Sequence, residues 1–282
     1  MKKHFRKSIF SAGLLLLFSG ISVSLSSQEI SLAYKYSGDK PVSYLYTSAM
    51  AQIMDMQGQT MQNDVNSAFG CIVKSAGMQG NNLMLEITAD TLGQTTNSPM
   101  GGGGVSVADI KGKSFKIVIS PEGKVIDLSE AIAIKFVQGD GGESDLGQSL
   151  NDFFPRMPEK PVKPGDSWNT TDSSTLKTAT MTQTTINNSI NKLVGVEIID
   201  GVECARILRE GTGTLFMNLQ TQGMDILIRG PFTRTEECLV AVKEGQLVSQ
   251  TSTMKITGDL DIASMGMTMP ITMQIKDATK IK

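Results

Sequence analysis

Polar and apolar residues alternate with a period of two along most of the chain, as in strands that bury one face. Ile30, Leu32, Tyr34 and Tyr36 alternate with Ser31, Ala33, Lys35 and Ser37. Leu83, Leu85 and Ile87 share one side, and Asn82, Glu86 and Thr88 the other. Phe115, Ile117 and Ile119 precede the turn Ser120-Pro121-Glu122-Gly123. Val194, Val196 and Ile198 run into Asp200-Gly201, a two-residue hairpin signal, and Glu244-Gly245 separates Val240 and Val242 from Leu247. Thr178, Thr180, Thr182 and Thr184 form a ladder suited to a strand. At the C-terminus Met265, Met267, Met269, Ile271, Met273 and Ile275 point one way. Gly266, Thr268, Pro270, Thr272, Gln274 and Lys276 point the other. Pro270 has no ladder N–H to give, so this strand is expected at an edge or with a bulge there.

The period changes only in the middle of the chain. Leu128, Ile132 and Phe136 are spaced by four, with Ser129 as N-cap and Gly139 past the end. Leu146, Leu150 and Phe153/Phe154 repeat the spacing until Pro155 stops it. Two short helices are expected, joined by a loop at Gly139–Gly142, with a second flexible loop at Gly93–Gly104. Pro155, Pro158, Pro161 and Pro164 recur every third residue, which suits an extended connector. The two β-rich halves on either side, 28–154 and 169–282, resemble each other weakly. Glu122-Gly123 falls 122 residues before Glu244-Gly245, and at that offset Leu83, Leu85 and Ile87 meet Ala205, Ile207 and Arg209. The expected fold is α+β and β-dominated: one domain, with a curved antiparallel sheet of two halves and two short helices.

The segment Pro158–Trp168 contains Pro161-Val162-Lys163-Pro164-Gly165-Asp166-Ser167-Trp168. It resembles the Pro-Val-x-Pro-Gly-Asp-Ser-Trp element of a family of bacterial secreted proteins and lipoproteins with no established activity. There the element connects two β-rich halves, and the hairpin Gly201–Ala205 fits the same pattern. The architecture this implies is similar to the half-barrel lipoprotein carriers of the LolA type, a curved sheet with helices plugging its concave side.

Residues 1–27 read as a cleaved signal peptide: a basic Met1–Lys7, an apolar Ser8–Val23 and small residues at Ser24 and Ser26. No cysteine lies near the cut for lipidation. The expected location is the periplasm or the exterior, with no transmembrane anchor after cleavage. The remainder carries 22 basic and 28 acidic residues, which argues against a nucleic-acid partner. The only histidine, His4, leaves with the signal, and histidine-based triads and zinc sites leave with it.

Other chemistry is sparse. Ser37/Lys40, Ser174/Lys177 and Ser189/Lys192 have Ser-x-x-Lys spacing, but none precedes a helical pattern as a nucleophile requires. No catalytic residue, metal site or cofactor is expected. Asp140, Glu143 and Asp145 read as a solvated acidic loop capping the second helix rather than a cation site. Cys71, Cys204 and Cys238 read as buried inert thiols, with a Cys204–Cys238 bridge as the alternative.

Methionine is the anomaly: 16 remain after the signal, against one tryptophan and four tyrosines. Met50, Met54 and Met56 share a face with Tyr44 and Tyr46. Ordinary core is one account of this richness. Thioethers on flexible stems also repack around varied apolar ligands, and they suit Cu(I). The candidate ligand-binding set is Met54, Met56, Met265, Met267, Met269 and Met273. The expected function is non-catalytic: binding or carrying an apolar small molecule, a lipid or a lipid-modified partner in the envelope. The alternative is a structural module that docks an envelope protein and has no cavity.

Overall fold

The computed structural model describes residues 29–282 apart from 39, 57, 100–102, 107–109, 138–142, 151–152, 178–180 and 222–223. The signal segment and the loop Gly139–Gly142 therefore lie outside the described residues, as do Thr178 and Thr180.

The first half contributes β1 (Val42–Met56), β2 (Gln59–Gln79), β3 (Asn82–Asn97), β4 (Gly103–Ser106), β5 (Ser114–Ile119) and β6 (Val125–Asp127). Next come α1 (Ser129–Ala133), a small hairpin of β7 (Lys135–Val137) and β8 (Glu143–Asp145), and a 3-10 turn at Leu146–Leu150. The second half contributes β9 (Ser167–Lys177), β10 (Met181–Ile199), β11 (Val202–Thr221), β12 (Met224–Ala241), β13 (Gln246–Ile262) and β14 (Met267–Ile281). The main sheet runs β6-β5-β3-β2-β1-β14-β13-β12-β11-β10-β9, with β4 also on β3. Every pair is antiparallel. The sheet is curved and does not close into a barrel, which leaves β6 and β9 as its two edges.

The two halves share local architecture. After Glu122-Gly123, Ile126 is an extra residue on β6 between the pairs Ile119–Val125 and Val118–Asp127. After Glu244-Gly245, Val248 is the extra residue on β13 between Val240–Leu247 and Leu239–Ser249. Counted from this common turn and bulge, the Ile87–Phe115 pair of β3 and β5 corresponds to the Arg209–Glu236 pair of β11 and β12.

The inner face of the sheet is banded along its strands. At one end Tyr44, Phe69, Leu85, Ile117, Ile207, Val240 and Leu247 form a core with Leu32, Tyr34, Tyr36, Leu146, Phe153 and Phe154. The segment Ile30–Ser37 straps both halves there: Tyr34 N–H donates to Pro121 O at 2.7 Å, and Lys35 N–H to Gly245 O at 2.8 Å. At the other end Leu215, Ile228, Phe232, Ile256, Leu260, Met269, Ile271 and Met273 form a second core. Between the two lies a buried polar belt that includes Arg209, Arg234, Glu236, Gln250 and Ser252. Backbones crowd together beside it: an added Cβ would meet Ile186 O at Gly213 and Thr257 O at Gly230. Only bare backbones approach that closely.

Several expectations change. The first helix is one short turn that ends at Ala133, and Phe136 lies on β7. Ser129 is not its cap; Asp127 Oδ1 accepts the Ser129 N–H at 2.8 Å. The second helix shrinks to the 3-10 turn, because Phe153 and Phe154 pack as an aromatic pair with Tyr44 and Tyr34 rather than continuing a spiral. The glycine-rich Gly93–Gly104 is not a loop throughout: β3 runs to Asn97 and pairs Gly93–Thr96 with β4. Ile30 makes a bridge to Val162, but Leu32, Tyr34 and Tyr36 bury themselves in an extended strap outside any strand. β14 is neither an edge nor bulged at Pro270, which pairs with Asp259. The ladder to β1 ends at Met54–Ile271, one residue short of Pro270, so the proline costs no pairing on that side.

Candidate functional site

A cavity of about 420 Å³ lies on the inner face between the plugged end and the methionine-rich end. Its apolar wall comes from β1, β11, β12, β13 and β14, through Met50, Met217, Phe232, Met254, Ile256 and Met273. Period-two alternation places these side chains on one face. Its opposite wall is Phe154, Pro155 and Arg156 of the connector. Both edges of the sheet reach it, β6 through Val125, with Lys124 just before it, and β9 through Asp172–Ser174.

The polar belt forms the rest of the wall. Arg209 Nη1 lies 3.2 Å from Glu236, and Arg234 Nη2 lies 3.0 Å from the same carboxylate. Arg209 Nε donates to Asn191 Oδ1 at 2.6 Å, and Nη2 donates to Arg156 O at 3.2 Å. Arg156 in turn pairs with Asp172 of β9 at 3.6 Å, across the wall of the cavity. Asp277 accepts from Tyr46 Oη at 3.1 Å and from Ser252 Oγ at 3.2 Å. The site therefore has a charged, hydrogen-bonded side and a thioether-rich side, a division suited to holding a molecule with one polar and one apolar end.

Of the methionines singled out in the sequence, Met50 and Met273 line the cavity, Met273 alone from the candidate ligand-binding set. Met269 is buried in the far core, and Met54 and Met267 pack against that core half-buried. Met265 is 57% exposed in a turn before β14. Met56 closes β1, and its side chain lies outside the described residues. Sequence reasoning passed over Met217 and Met254. Their signal was the same alternation, Leu215 with Met217 and Met254 with Ile256, in strands read for their turns rather than their faces. Arg209 and Arg234 were missed because an arginine in an alternating strand reads as a solvent residue.

The remaining candidates are placed as follows. Ser189 is buried inward while Lys192 is exposed, and Ser174 likewise faces away from Lys177, since residues three apart on a strand point to opposite sides. Asp145 is not solvated: it is buried and pairs with Lys135 at 3.5 Å. The three thiols are free and buried. Cys238 shares a face with Ile207, so Cys204, three residues before Ile207 on β11, faces the other way and cannot bridge it. Burial pushes the Cys71 and Cys238 thiols up to about 12 and raises the Tyr34 and Tyr44 hydroxyls well above their usual range. Among the described residues no three His, Cys, Asp or Glu side chains gather to hold a metal ion, and no helix is long and apolar enough to cross a membrane.

No protein-family model matches the chain, and no curated protein matches it. Among the solved structures that align with it at low similarity are the following two. One is a DUF1329 family protein from Desulfovibrio piger, with 12% identity, 86% of this chain and 87% of its own covered, and a TM-score of 0.16. The other is OccAB2 from Acinetobacter baumannii, with 8% identity, 86% and 98% covered, and a TM-score of 0.22. TM-scores this low carry nothing over about what the cavity holds.

Proposed function

We propose that this is a non-catalytic protein of the bacterial envelope that binds or carries an apolar ligand or the lipid part of a modified partner. The observation that carries the reading is the cavity of about 420 Å³, within the range of small-molecule sites, with Met50, Met217, Met254 and Met273 on its wall. Thioether side chains adapt to acyl chains of varied shape at little cost. The signal-like segment 1–27 supports export, and the Pro-Gly-Asp-Ser-Trp resemblance points to the same compartment. The test is native mass spectrometry, with lipid extraction, of protein purified from its own periplasm. Bound lipid-sized mass that extracts into organic solvent is expected. Met273→Leu should keep stability within about 1.5 kcal/mol and narrow the range of bound chains. Protein that never carries or accepts an apolar molecule sinks the reading.

A docking module is the second reading, favoured by the outer edge of β9. Its eleven residues contain no proline or bulge and end the sheet unpaired. A stoichiometric protein partner with an empty cavity would decide for it. Cu(I) bound in proportion to the methionines present would overturn both.

A further inference from the structure

We propose that the ligand is an anionic amphiphile whose head sits on the arginine belt and whose chain lies against the methionine wall. The proposal rests on the ligand-binding reading above and names the chemistry of its ligand. The charged side chains described on the cavity wall are Lys124, Arg156, Arg209 and Arg234 against Asp172 and Asp277. Glu236, which both Arg209 and Arg234 reach, is not itself on the wall. Arg156, Arg209 and Arg234 thus line the cavity, while the Glu236 carboxylate that Arg209 and Arg234 share does not. Planar guanidinium forks match carboxylate and phosphate oxygens, and their bonds strengthen away from water.

An independent observation separates this belt from the needs of the fold. Where β11 and β12 carry Arg209 and Glu236, the same place in the first half carries Ile87 and Phe115, both buried in core. A well-packed apolar pair therefore satisfies this architecture. A buried ion pair at the equivalent place gains little stability over such a pair. It appears in the half that supplies most of the cavity's lining.

The experiment uses the mature full chain and a neutral fluorophore, N-phenyl-1-naphthylamine, displaced by oleate, methyl oleate or oleoyl lysophosphatidic acid. The triple variant Arg209→Ile/Arg234→Met/Glu236→Phe transplants the first half's pair and also removes Arg234, which would otherwise lose its Glu236 partner. Arg234→Gln and Arg234→Lys test the second guanidinium. Oleate is expected to displace the probe at least about tenfold more tightly than methyl oleate. The triple variant should lose that preference yet still bind methyl oleate, with an unchanged or higher Tm. Arg234→Gln should weaken oleate more than Arg234→Lys does. Tighter displacement by the lysophosphatidic acid than by oleate assigns the head to a phosphate, and the reverse to a carboxylate. Equal binding of oleate and methyl oleate by the natural chain overturns the proposal while leaving the apolar-ligand reading standing. A preference that survives in the triple variant also overturns it. If no compound displaces the probe, or the probe itself does not bind, the underlying reading fails and this proposal with it.

Discussion

Gly123 and Gly201 both have left-handed backbone, with φ of +84° and +82°, yet their surroundings differ. A Cβ at Gly123 would lie 2.6 Å from the Tyr34 ring and 2.8 Å from Pro155 O, whereas at Gly201 it would meet nothing. Gly201→Ala should therefore cost only the backbone strain, about 1–2 kcal/mol. Gly123→Ala should cost clearly more, because the strap and the connector must both move. Denaturant titration of the two variants checks the order; equal losses would refute the close approach. The thiols give a second test at this scale. Burial holds Cys71 and Cys238 near a pKa of about 12, so almost no thiolate exists at neutral pH. Both should resist iodoacetamide at pH 8 in the folded protein and react once it is unfolded. Rapid native labelling would show that the core opens.

At the scale of elements, the connector ends where β9 begins, and Trp168 lies at that junction. It packs half-buried against the plugged core and pairs across the ladder with Asn191. Asn191 Nδ2 donates to the Trp168 carbonyl at 3.1 Å and so joins the same residue that holds Arg209. Trp168→Ala should cost roughly 2 kcal/mol of buried apolar area, lowering Tm with little change in ligand affinity; an unchanged Tm would remove the anchor. The methionine alternation of β14 was legible, and its register follows the expected faces. Its place in the sheet was not legible. Pro270 reads as an edge signal, but whether an N–H is missed depends on where the neighbouring strand stops, and β1 stops at Met54–Ile271. The two helices are shorter than the spacing of four suggests for a related reason. A spacing of four marks a helical face only if the face is used as one, and Phe136 and Phe153 are used separately.

At the scale of the whole molecule, one sheet runs unbroken from β6 to β9, and the strap Ile30–Ser37 touches the turns of both halves. The halves cannot melt apart without breaking β1–β14 pairing and the strap together. A single calorimetric transition is expected. Tyr34→Ala should lower its midpoint by about 3–5 kcal/mol of stability, since it removes the Pro155 hydrogen bond at 3.0 Å and the edge contact with Phe154 at 5.5 Å. Two separate transitions would show that the halves are independent.

The alternation of side chains determined by itself that this chain is a set of half-buried antiparallel strands. The Asp-Gly and Glu-Gly turns determined where several of them end, because period and turn chemistry are local properties of the backbone. Ile87 against Arg209, and Glu122-Gly123 against Glu244-Gly245, were already aligned in the sequence. What that alignment meant was decided only in three dimensions, where curvature brings the middle stretches of five strands, both sheet edges and the connector around one space. Which methionines face that space depends on how the curved sheet surrounds it. Whether Arg209 faces water or the interior depends on the belt that Asn191 and Glu236 build around it. A strand's pattern says which residues share a face, and only the packing of other segments on that face says what the face encloses.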